Sequence, residues 1–136
     1  MCYFLRMSFS ELTDGWTLHH TGGDVPERFA AIPARPIHAS VPGVVHTDLL
    51  AAGLIPDPYV DDNEALLAWI GHSDWAYETT FVWRPDGETV HDLVAEGLDT
   101  VALVTLNGVE IARTRNQHRT YRWPVDGILR EGENRL

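Results

Sequence analysis

From Asp74 onward apolar and polar residues alternate with a period of two. Trp75, Tyr77, Thr79, Phe81 and Trp83 fall on one face of an extended segment, with Ala76, Glu78, Thr80 and Val82 on the other. Pro85, Asp86 and Gly87 turn the chain, and Thr89 to Glu96 reads as a second strand. Val101–Leu106 and Val109–Thr114 flank Asn107 and Gly108, a dipeptide that tolerates the two positive φ angles of a type I′ hairpin. Arg119–Val125 is a further strand, Gly127–Gly132 a turn or short helix, and Asn134–Leu136 the opening of one more strand.

The first half is patterned differently. Gly15–His20 reads as a short strand, Thr21–Arg35 as a loop broken by Gly22, Gly23, Pro26 and Pro33, and Ile37–Val41 as a short extended piece ended by Pro42 and Gly43. Val45, Leu49 and Ala52 then recur at helical spacing up to Gly53. Two prolines exclude a regular element from IPDPYVDDNE, after which Asp61 and Glu64 have the spacing of a capping box for a helical turn carrying Leu66, Leu67, Trp69 and Ile70. Short strands separated by turn signals, with helical pieces confined to the first half, predict a mostly β chain folded as a β-sandwich. A last strand stopping at Leu136 would leave a neighbouring edge unpaired, so the sandwich is expected to be truncated at its C-terminal end.

The length of 136 residues accommodates one domain: residues 1–14 are read as a disordered leader and residues 15–136 as the sandwich. Twenty acidic against ten basic residues give a net charge of −10, which repels phosphate backbones and anionic lipid, so neither nucleic acid nor membrane is an expected partner. Cys2 is the single cysteine, which excludes an internal disulfide and favours a reducing, cytoplasmic location. No run approaches the ~18 apolar residues of a membrane span.

Candidate chemistry is sparse. The seven histidines include no pair four apart on a predicted helix with an intervening glutamate, so no metal site is assigned and no cofactor is expected. The serines lack a Gly-x-Ser-x-Gly elbow, and no glycine-rich loop opens a helix. Most acids lie in turns where solvation accounts for them, so no residue is given a catalytic role. Of the five tryptophans, Trp16, Trp75 and Trp83 belong to patterned strands and read as core. Trp69 lies close to Tyr59 and Asn63 beside the proline and aspartate loop, where its ring can face a sugar. Asn116–Arg119 is a polar loop suited to solvent or to a domain contact.

Three phrases carry a resemblance: VPGVVHTDLLAAGLIPDPYVDDNEALLAWIGHSDWAYETTF, EGLDTVALVTLNGVEIARTRNQHRTYRWPV and GENRL. In this order they resemble the N-terminal domain of the β-mannosidases of glycoside hydrolase family 2, from about Trp16 to Leu136. Pro42, Gly43, His46, Asp48 and Leu49 match the start of its first helix, and Pro56–Tyr59 its proline loop. Trp69, Trp75 and Tyr77 match the approach to its aromatic strand, and Gly97–Thr100 precede the hairpin as they do there.

The resemblance implies a jelly-roll sandwich of the galactose-binding-domain-like type, lying beside a catalytic (β/α)₈ barrel. On that barrel two glutamates would perform a retaining double displacement. It implies that the catalytic residues and a sugar-reaching Trp-Asp-Trp segment lie outside these 136 residues. It also implies that the loop from Tyr59 to Asn63 comes near the substrate, making Asn63 and Trp69 the candidate substrate-binding residues. His118 departs from the family, which often carries an aromatic there.

The expected function is that of the non-catalytic N-terminal domain of an exo-β-mannosidase, whose partners are a β-mannoside oligosaccharide and the missing barrel. Alternatives are a stand-alone carbohydrate-binding or domain-docking sandwich, the latter able to form a homo-oligomer through its exposed face, or the same domain of a β-galactosidase or β-glucuronidase.

Overall fold

A computed structural model describes residues 8–32 and 35–136, so Cys2 and most of the predicted leader lie outside the described residues. The chain divides into two compact units, Met1–Ala76 and Tyr77–Leu136.

In the first unit, β1 (Thr17–Gly22) is the middle strand of a three-stranded sheet, between β2 (Ile37–His38) and β3 (Asp74–Glu78). β1 pairs antiparallel with β2, Leu18 opposite Ile37, and Ala39 N–H donates to the Trp16 carbonyl at 2.9 Å, lengthening this two-residue ladder. The Trp16 indole N–H donates to the Leu12 carbonyl at 2.8 Å. Within the loop expected over Thr21–Arg35, a 3₁₀ turn at Glu27–Phe29 buries Phe29.

Helix α1 (Val45–Ala51) lies where the spacing of Val45 and Leu49 predicts it. Thr47 completes half of a capping box: Val44 N–H donates to Thr47 Oγ1 at 3.3 Å, and the hydroxyl donates back to the Val44 carbonyl at 2.7 Å. Asp48, 4% exposed, accepts the Ser40 N–H at 3.0 Å and so ties the helix to the segment before the Pro42 turn. A Cβ at Gly43 would overlap the Ser40 carbonyl oxygen, which is why this tight approach carries glycine.

Helix α2 (Asn63–Leu66) starts one residue later than the expected capping box requires. Asp61 is in the left-handed region at φ 49°, and Asp62 is the N-cap with no side-chain capping bond. A 3₁₀ helix, Ala68–His72, follows. Phe29, Ile32, Leu49, Ile55, Leu67 and Ile70 form a buried apolar cluster with Trp69 and Trp75 packed on it. Each of these six side chains contributes about 1.5–3 kcal/mol by leaving water.

The second unit is built of three antiparallel pairs. β4 (Thr80–Trp83) pairs with β9 (Gly132–Arg135), β5 (Asp92–Ala95) with β8 (Tyr121–Pro124), and β6 (Ala102–Leu106) with β7 (Val109–Thr114). Asn107 at φ 53° and Gly108 at φ 79° make the expected hairpin turn, with a register shift at Val104 and Thr105.

One expectation changes. The single strand predicted from Trp75 to Trp83 is two strands, β3 and β4, interrupted at Thr79. The alternation holds in β4, where Thr80 and Val82 are exposed and Phe81 and Trp83 half-buried, but not in β3, where Trp75 to Glu78 are all half-buried. The closing strand expected over Asn134–Leu136 is β9, which begins two residues earlier, at Gly132. β9 covers the whole of β4, Thr80 opposite Arg135 and Trp83 opposite Gly132, and Leu136 exchanges backbone bonds of 2.9 and 3.0 Å with Thr79.

Candidate functional site

The segment from Pro56 to Asn63 has no periodic element, and short-range hydrogen bonds fix its course. Asp57 Oδ1 accepts the Tyr59 N–H at 2.9 Å, its carbonyl accepts the Val60 N–H at 3.3 Å, and Asn63 Nδ2 donates to that same carbonyl at 2.9 Å. Asn63 therefore closes the loop and begins α2, its own carbonyl accepting from Leu67 N–H at 2.9 Å. Its side-chain oxygen receives no donor among the described residues and remains an acceptor at the loop's base.

Trp69 is positioned by the 3₁₀ helix and held by aromatic packing. Its ring stacks on Phe29, centroids 5.6 Å apart at 28°, and tilts against Trp75 at 6.0 Å. Trp75 in turn meets His20 edge to face at 5.2 Å and donates its indole N–H to the Ile70 carbonyl at 3.1 Å. The Trp69 Nε1 is buried without a hydrogen-bond partner among the described residues, as are His19 Nδ1 and His20 Nε2. The structure thus places Asn63 and Trp69 in consecutive short helices with different duties, one fastening a loop and the other packing on the apolar cluster.

Between them in character is Tyr59, an aromatic residue 96% exposed at the tip of the tied loop. The sequence marks it only as a neighbour of Trp69. The available signal was its position between Pro58 and a run of acids, where no strand or helix could bury the ring.

The acids around this loop do not assemble a hydrolytic site. Asp57 organises the turn, and Asp61 and Asp62 form the exposed approach to α2. In the second unit Asn116 uses its Oδ1 to accept the His118 N–H at 2.9 Å, while its carbonyl accepts the Tyr121 hydroxyl at 3.1 Å. Its side chain shapes the polar loop itself. Among the described residues no group of three or more His, Cys, Asp or Glu is placed to hold a metal ion, and no helix is long and apolar enough to cross a membrane.

Residues 16–136 match the family model described as the glycosyl hydrolase 2 galactose-binding domain-like domain. The chain belongs to this family. The mostly β fold is accordingly the galactose-binding-like β-sandwich of family 2 glycosyl hydrolases, with its short helices in the N-terminal half. Similar proteins include β-mannosidase B of Thermothelomyces thermophilus, 41% identical over 96 residues, which are 70% of this chain and 11% of that protein. β-Mannosidase B of Emericella nidulans is 34% identical over 128 residues, 92% of this chain and 14% of its own length. Among solved structures, the β-D-mannosidase of Dictyoglomus thermophilum superposes with a TM-score of 0.84 at 32% identity, covering 96% of this chain and 15% of that one. This galactose-binding-like chain therefore spans 11 to 15% of the length of these three proteins.

Proposed function

We propose that these 136 residues serve as the non-catalytic N-terminal domain of a retaining exo-β-mannosidase that removes terminal β-D-mannose from oligosaccharides. The observation that carries this reading is that relatives matched over 70 to 92% of the chain, at 34 to 41% identity, are β-mannosidases, and that a β-mannosidase shares its backbone path. In this reading the acid/base and nucleophile are glutamates of a separate barrel, and the domain contributes to the walls of the sugar pocket. Asn63 and Trp69 are its substrate-facing residues, Asn63 through its side-chain oxygen and Trp69 through the part of its ring left uncovered; Tyr59 extends the same loop.

The test compares the 136-residue chain with the product of the reading frame that contains it, using nitrophenyl β-mannoside. Release by the longer product and none by the short chain is the expected result. Hydrolysis by the short chain, or faster hydrolysis of the β-galactoside or β-glucuronide by the longer one, would refute it. In the active protein Asn63→Ala is expected to raise KM by about tenfold, the loss of one hydrogen bond to a hydroxyl, with kcat changed less. Saturable quenching of Trp fluorescence by mannobiose in the short chain would instead favour a self-sufficient carbohydrate-binding module.

A further inference from the structure

His91, immediately before β5, lies between two carboxylates on separate turns. Its Nδ1 is 3.0 Å from Asp126 Oδ1 and its Nε2 is 3.2 Å from Asp86 Oδ1. Asp86 belongs to the turn joining β4 to β5, where its Oδ1 also accepts the Glu88 N–H at 3.0 Å. Asp126 follows β8, and its Oδ1 also accepts the His91 backbone N–H at 2.6 Å. Val125 N–H donates to the His91 carbonyl at 2.9 Å, so the pairing of β5 with β8 continues to the histidine itself. Trp83 of β4 meets the imidazole edge to face at 5.1 Å. The groups facing His91 are thus two acids and one aromatic ring. The next charged residue of β5, Asp92, is paired with Arg122 of β8 at 3.1 Å.

An ionised carboxylate only accepts hydrogen bonds, so both ring nitrogens must donate for both contacts to be favourable. Only the imidazolium has two N–H groups; a neutral ring would point a lone pair at one of the acids. We propose that His91, Asp86 and Asp126 form a proton-dependent latch, closed when the histidine is charged, that fastens the β4–β5 turn to the end of β8.

The electrostatics agree in sign. The bond to Asp126, ahead of the bond and charge of Asp86, raises the histidine above its ordinary 6.5. Asp86 is lowered from 3.8 by the Glu88 N–H and then by His91, and Asp126 by the bond to His91. The histidine's contribution is complete below 6.5 and lost as pH rises through its folded value, while the acids' contribution is complete above 3.8 and lost as pH falls through theirs. The latch is therefore closed between 3.8 and 6.5 and opens as pH rises through the histidine's raised value. His91 is 19% exposed and the two acids 37% and 40%, so solvent protons reach the site.

Imidazole NMR titration of the 136-residue chain, paired with amide hydrogen exchange, tests this directly. We expect a His91 midpoint above 6.5 that falls toward 6.5 in Asp126→Asn and in Asp86→Asn. Exchange corrected for its intrinsic pH dependence should show protection at residues 85–92 and 125–129 dropping about tenfold through that midpoint, with no such drop in His91→Gln. A midpoint at or below 6.5, level protection in the unmodified chain, or a drop that survives His91→Gln overturns the latch.

Discussion

Asn107 occupies the turn of the β6–β7 hairpin at φ 53°, a conformation for which Asn and Gly are the usual choices. Its side chain does more than tolerate the turn. Nδ2 donates to the Ile128 carbonyl at 2.9 Å and to Asn134 Oδ1 at 2.8 Å, and Oδ1 accepts the Arg135 N–H at 3.0 Å. Asn134, 1% exposed, completes the network: its oxygen also accepts Arg130 N–H at 2.9 Å, and its amide donates to the Arg130 and Gly132 carbonyls at 2.7 and 3.0 Å. These bonds join the hairpin tip to Ile128 and to β9, residues 21 to 28 apart in sequence. If the turn alone mattered, Asn107→Gly would be nearly neutral. We expect it to cost about 2–3 kcal/mol in urea unfolding, because buried partners lose their bonds. An effect under about 0.5 kcal/mol would show that water replaces the amide.

At the scale of elements, the helices of the first unit depend on contacts with their flanks. α1 spans seven residues and α2 four, too short to be stable by propensity. α1 is fixed by Asp48 reaching back to Ser40 and by Thr47 bonding Val44, with Leu49 pressed into the apolar cluster. Gly43 makes the reach of Asp48 geometrically feasible. Gly43→Ala is predicted to destabilise the chain by about 1–3 kcal/mol, through displacement of the Ser40 backbone, despite alanine's lower unfolded-state entropy. Thermal unfolding followed by Trp fluorescence measures this, and an unchanged midpoint would mean that the loop shifts without releasing Asp48. The same scale shows where sequence patterning stops. The helix at Val45 and the β6–β7 hairpin were legible because their signals are local. The division between β3 and β4 was not, because Thr79 keeps the alternation while its hydrogen-bond partner, Leu136, lies at the far end of the chain.

For the molecule as a whole, the charge of −10 is the dominant electrostatic fact. Against it stand exposed pairs such as Arg113 with Glu110 at 2.9 Å and Arg135 with Glu78 at 2.5 Å, each worth little in water. Self-repulsion should therefore outweigh them. Raising sodium chloride from about 0.01 M to about 0.5 M is expected to raise Tm by about 2–5 °C, and a fall would mean that the surface pairs prevail.

By itself the sequence determined the β-rich character, the hairpin, α1, the family and the choice of Asn63 and Trp69 as residues of interest. Each is written in neighbouring positions or in an ordered set of phrases. The tertiary structure decided what those residues touch. Asn63 became the tie of the Asp57 loop, Trp69 a ring stacked on Phe29, Tyr59 an uncovered aromatic, and His91 the middle of a latch closed by an acid 35 residues away. Such roles depend on partners brought close by chain reversals, and side-chain periodicity carries no record of which distant groups those reversals will align.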